Sequence, residues 1–170
     1  MKIALHGGFL LMCSVLQATW LNYITLFDVK PNLFLVYVVV LSFFCNSKIE
    51  GAVVGAVFGL ILDFIIGRVV GINMILSLLI GFTVTLFCER VIRKNSIFIT
   101  MLSILIITIV YESVYYFFAF LFTGGMGYWN AMIAVILPES IFNVIVSVPA
   151  YYILGKLTQY LYTDKGEGLG

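Results

Sequence analysis

The sequence predicts an all-α integral membrane protein, a bundle of six transmembrane helices with both termini in the cytoplasm. Three observations carry that expectation. Of the 170 residues, 63% are hydrophobic and 10% charged, whereas a soluble domain carries about a quarter charged residues. So few charges cannot cover a surface that faces water. The apolar residues also fall in long blocks separated by short polar breaks, and a membrane helix needs about 20 such residues. Finally, stretches such as 97–110 lack the period-two alternation of a barrel strand. Only helices and closed barrels pair every backbone group in lipid, so the blocks read as helices.

The first block covers 3–26 and follows Lys2 directly, like the charged start of a signal peptide. It has no clear small-residue cleavage site, so it reads as a retained first span. The turn 28–32 follows, in which Pro31 cannot continue a helix but suits the first turn of the next. The second block, 33–45, is short for a full span. A polar break at 46–50 leads to the third block, 51–67. The fourth, 71–88, is separated from it only by 68–70, which predicts a tight helical hairpin. The basic stretch 89–95 precedes the fifth block, 97–122. A glycine-rich connector, 123–127, leads to the last block, 129–161, which contains Pro138 and Pro149 and exceeds one membrane thickness. It is either one kinked helix or a broken one. Residues 1–162 form one transmembrane domain, and 163–170 are expected to be a flexible cytoplasmic tail.

Basic residues favour the cytoplasmic side. A cytoplasmic N-terminus places Lys2, Lys48, Arg90, Arg93, Lys94, Lys156 and Lys165 inside, and leaves Lys30 and Arg68 outside. Trp20 and Trp129 then fall at the outer interface, where indoles are favoured.

The clearest pattern is Gly51, Gly55 and Gly59, continued by Asp63 and Gly67 at the same step of four. Residues four apart share a helix face. Glycines there admit another backbone closely, either a partner's helix or a neighbour within the bundle. Asp63, Glu112 and Glu139 are carboxyl groups inside apolar blocks, which is costly and points to a bundle interior or a wet cavity. Asp63, near the outer end of its span, has Arg68 within reach. Glu112 shares a helix side with Thr108, Tyr115 and Tyr116, whose hydroxyls are candidate partners. Glu139 follows Pro138, and Asn143 and Ser147 continue its stripe. Pro138 frees a carbonyl that Asn143 is placed to help satisfy. The three acids are expected to converge on one polar interior site in the outer half of the membrane, protonated or hydrogen-bonded to each other and to Asn73. A structural polar network and a transport site both fit.

Other chemistry finds little footing. His6 is the single histidine and has no nearby acid, so it makes neither metal site nor catalytic pair. Cys13, Cys45 and Cys88 show no Cys-x-x-Cys spacing and read as apolar thiols. No phosphate-binding glycine loop, nucleophile elbow or nucleic-acid-binding basic patch occurs. No catalytic residue, metal site or cofactor is expected.

Lys30-Pro31-Asn32-Leu33, then Gly51, Gly55 and Gly59 running into Leu60-Ile61-Leu62-Asp63, then Gly67 and Gly71, resemble the rod shape-determining protein MreD family. Tyr111-Glu112 and Leu137-Pro138 with Asn143 resemble its later helices less specifically. The firm resemblance covers residues 30–84. It implies a non-enzymatic component of the bacterial plasma (inner) membrane, with a bundle similar to the S-components of energy-coupling-factor transporters. The implied partner is MreC, with MreB, RodA and a class B penicillin-binding protein in the same elongation machinery. Pro31, Gly55, Gly59, Asp63 and Gly71 match the family pattern. Gly55 and Gly59 are then expected to shape a helix interface, and Asp63 to fix the hairpin between the third and fourth spans.

The expected function is a scaffold of the elongasome that docks MreC and couples the cytoskeleton to peptidoglycan synthesis. The basic loop Arg90, Arg93 and Lys94 would contact anionic lipid or the filament; lipid is worth about 1 kcal/mol per basic residue. The rival is a solute-binding S-component-like transporter subunit, with Asp63, Glu112, Glu139 and Asn143 lining an outward pocket. The short outer connectors argue against it.

Overall fold

The computed structural model describes residues 15, 29–45, 47–66, 71–90, 96–123 and 127–163. The expected first span with His6, Cys13 and Trp20 lies outside them. So do Gly67, Arg68, Arg93, Lys94 and the tail. The regular elements of the described residues are helices: α1 (Leu33–Phe44), α2 (Lys48–Ile66), α3 (Ile72–Arg90), α4 (Ile97–Thr123), α5 (Tyr128–Ala131), a π-helical segment (Met132–Ile136) and α6 (Leu137–Thr163).

Helix α1 forms the centre of the bundle. Its residues from Phe34 to Phe43 are all buried, as befits a helix apolar on every side. Asn32 is its N-cap and accepts from the Leu35 N–H at 3.1 Å. Pro31 therefore precedes the cap instead of opening the first turn, because the asparagine side chain satisfies a free helical N–H that proline cannot reach. Twelve residues rise about 18 Å, short of the roughly 30 Å of hydrocarbon. Protein surrounds this helix, so the irregular backbone at its ends is tolerated at membrane depth. The Asn32 N–H finds Asn143 Oδ1 at 2.8 Å, and the Cys45 N–H finds the Leu41 carbonyl at 3.0 Å.

Around α1 pack α2, α3, α4 and α6. Phe58 of α2 stacks on Tyr37 with ring centroids 4.5 Å apart. Leu62, Ile104 and Leu154 bring α2, α4 and α6 into the same apolar cluster. At the other end of α1, Phe44 meets Tyr151 of α6 at 5.5 Å. Helix α2 begins three residues before the expected Gly51, because the Ser47 side chain and carbonyl take the N–H groups of Glu50 and Gly51.

The last apolar block is one continuous helical run, α5, the π segment and α6 in succession. The Leu137 N–H reaches back five residues to the Met132 carbonyl. Pro138 follows at once and has no N–H to give. The wider π turn absorbs the missing bond and the ring, so the helix passes Pro138 without breaking. Pro149 also lies inside α6.

Two helical runs, Ile97–Phe118 and Tyr128–Leu157, are long and apolar enough to cross a membrane, and α1 and Ile72–Cys88 are shorter apolar helices. Their faces are inverted relative to a soluble protein. Phe98, Leu102, Ile106 and Val110, at steps of four along α4, are exposed, while Thr100, Thr108 and Glu112 of the same helix are buried. Along α6, Leu137, Ile141 and Ile145 point outward and Ser140, Asn143 and Ser147 inward. Such apolar stripes are unfavourable against water and match lipid.

Candidate functional site

The glycine seam of α2 is filled by α3. A Cβ on Gly55 would overlap the Ser77 carbonyl, and one on Gly59 the Asn73 carbonyl. Gly51 and Gly81 face each other, each with its Cβ position against the other's carbonyl oxygen. Asn73, Ser77, Gly81 and Thr85, also at steps of four, thus oppose Gly59, Gly55 and Gly51 in antiparallel register. The face that could have taken a partner's helix is occupied by the chain's own α3. Gly71 packs against nothing at its Cβ position; its φ of +108° makes the turn into α3. Its role is conformational, not a packing one, since L side chains strain there.

Asp63 closes this hairpin. Its carboxylate is 1% exposed and accepts from the backbone N–H groups of Gly71, Asn73 and Met74 at 2.8, 3.1 and 3.1 Å. These are first-turn donors of α3, which lack partners within their own helix. The Asp63 side chain of α2 is thus the N-terminal cap of α3.

From there a polar path runs inward. Asn73 Oδ1 accepts from the Tyr111 hydroxyl of α4, and Tyr111 also hydrogen-bonds Ser77. Glu112, one residue on, hydrogen-bonds both Glu139 of α6 and Asn32. Glu139 in turn hydrogen-bonds Asn143. The Asn143 carbonyl takes the Asn32 N–H, and its amide donates to Thr108 Oγ1 at 3.3 Å. Tyr111, one residue before Glu112, thereby ties α4 to Asn73 and Ser77 of α3. The acids fall in two groups with Tyr111 between them. Asp63 bonds backbone, while Glu112 and Glu139 bond each other.

Several expected pairings differ. Thr108 serves Asn143 and not Glu112, since the turn between them points its hydroxyl across to α6. Tyr115 and Tyr116 meet each other edge to face at 6.0 Å. Asn143 bridges to α1 and α4 rather than helping the carbonyl freed by Pro138, whose gap the π segment handles. Tyr111, Asn32 and Ser77 were not among the expected site residues. Their signal was positional: each is a hydrogen-bonding group one residue or one turn from Glu112, Pro31 or Asn73. Of the basic loop, Arg90 ends α3, and Arg93 and Lys94 are outside the described residues.

Among the described residues, buried side-chain oxygen and nitrogen atoms all have partners, and no group of three or more His, Cys, Asp or Glu could hold a metal. A separate apolar groove of about 430 Å³ opens between α3 and α4, lined by Leu76, Leu79, Ile80, Val84, Ile106 and Val110 among others.

Apolar stripes outside and a hydrogen-bonded polar interior define a helical membrane protein. Residues 4–161 match the family described as rod shape-determining protein MreD. The match spans nearly the whole chain, and the chain belongs to this family. It is accordingly a rod shape-determining membrane protein, from a family that is a structural component of the cell-shape machinery and not a known enzyme family. Comparison with curated proteins and with solved structures gave no match.

Proposed function

We propose that this chain is a six-span scaffold of the bacterial inner membrane, both termini cytoplasmic, that docks MreC and holds peptidoglycan synthesis beside the cytoskeleton. The observation that carries the reading is the family match combined with an interior whose polar groups are spent on holding helices together. Asp63, Glu112, Glu139 and Asn143 bond backbone or one another, where a solute-binding subunit needs groups free to meet a ligand. The S-component-like alternative loses support on that point.

Gly51, Gly55 and Gly59 serve the internal hairpin, so partner docking uses the lipid-facing stripes. In the absence of a hydrophobic drive between helices in lipid, such docking rests on shape and packing. The cytoplasmic loop with Arg90, Arg93 and Lys94 contacts anionic headgroups or the MreB filament, and RodA and a class B penicillin-binding protein complete the assembly.

The test is to purify the tagged full-length protein from native membranes in mild detergent and identify its companions by mass spectrometry. Recovery of MreC or the wall synthases is the expected result. Recovery of paired ATPases with a transmembrane coupling subunit would overturn the scaffold reading.

A further inference from the structure

We infer that Glu112 and Glu139 act as a one-proton latch that fastens α6 to α4 and α1 beside the π segment. Their carboxyl groups hydrogen-bond each other, and a carboxylate has only acceptors, so the bond exists only while one of the two carries a proton. Both side chains are buried, at 6% and 8% exposure. Like charges this close cannot both ionise in a shielded site.

The surroundings fit a latch. Asn32 of α1 and Asn143 of α6 hydrogen-bond the pair from either side, and Thr108 of α4 holds Asn143. Tyr111 of α4 directly precedes Glu112, and Asp63 of α2 lies beyond Asn73, which bonds both. Neither neighbour would offset a second negative charge.

The placement beside the π segment is the independent observation. Glu139 lies three residues after the π segment Met132–Ile136 and directly after Pro138. A π turn inside an α-helix is rare and lies frequently at a functional site. Removal of the proton places two charges together beside this irregular turn, and the last helix parts from α4 there. The same proton that closes the polar core thereby sets the shape of the outer end of the bundle.

The experiment uses the full chain in lipid nanodiscs. Infrared spectra at neutral pH should show the carbonyl band of a protonated carboxylic acid that disappears in Glu112→Gln and in Glu139→Gln. Amide hydrogen exchange of residues 132–143, corrected for its intrinsic pH dependence, should rise by about tenfold per pH unit where opening releases one proton. In Glu112→Gln the amide replaces the acid as donor, so that slope should vanish while the helices stay packed. Glu139→Gln provides the same reading from the other side if the first variant does not fold. A spectrum without a glutamate-dependent acid band, or a slope retained in both variants, overturns the inference. The outcome is independent of which proteins co-purify, so the latch and the scaffold reading fail separately.

Discussion

Along the α2–α3 seam the facing positions are Gly51, Gly55 and Gly59 against Gly81, Ser77 and Asn73. Along the α4–α6 seam they are Thr108 and Glu112 against Asn143 and Glu139. The first seam brings backbone onto backbone and leaves no room for a side chain. The second is held apart by side chains whose polar ends meet in the middle. Lipid is as apolar as leucine, so neither seam gains from expelling water. One uses close van der Waals approach and the other uses hydrogen bonds that lipid cannot replace. The close seam tolerates no added atom, while the polar seam tolerates any group that keeps its bonds.

That difference orders the expected effects. Gly55→Leu drives a whole side chain into the Ser77 backbone and should cost about 3 kcal/mol or more, since overpacking a tight contact has no flexible neighbour to yield. Unfolding of the purified protein in mixed micelles with rising denaturing detergent would read this. Asp63→Ala leaves the N–H groups at the start of α3 without their carboxylate, and should cost about 2 kcal/mol in the same titration. A smaller loss is expected for Asn143→Ala, about 1 kcal/mol, in keeping with single polar contacts between membrane helices. Gly71→Ala should cost about 1 kcal/mol through its left-handed φ alone, with no clash. Ile106→Ala, on the lipid-facing stripe, should change stability by less than about 0.5 kcal/mol. An Asn143 effect larger than that of Gly55 would reverse the comparison and make the polar seam the main tie.

The two seams also differ in how openly the sequence shows them. Glycines at steps of four announce one half of the close seam. The opposing half escapes notice, because Asn73, Ser77 and Thr85 read as polar residues and their smallness beside Gly81 is hidden. In the other seam, Glu112, Glu139 and Asn143 stand out as expensive residues in apolar blocks. Which of them meet depends on helix rotation, and one sequence does not fix that; Thr108 turns to Asn143 where local spacing offered Glu112. Helix α1 is legible as apolar but not as central, since a helix hydrophobic on every side has no face to read. The π segment has no composition of its own, and only Pro138 marks its neighbourhood.

The central claim is that the glycine face of α2 belongs to the chain's own hairpin. It is tested most directly by Gly55→Ala, one methyl group, scored for both unfolding and recovery of companion proteins. The account predicts a loss of about 2 kcal/mol, within the range for overpacked contacts, with companions lost only in proportion to folded protein. Unchanged unfolding together with loss of MreC would contradict it, and would return that face to a partner.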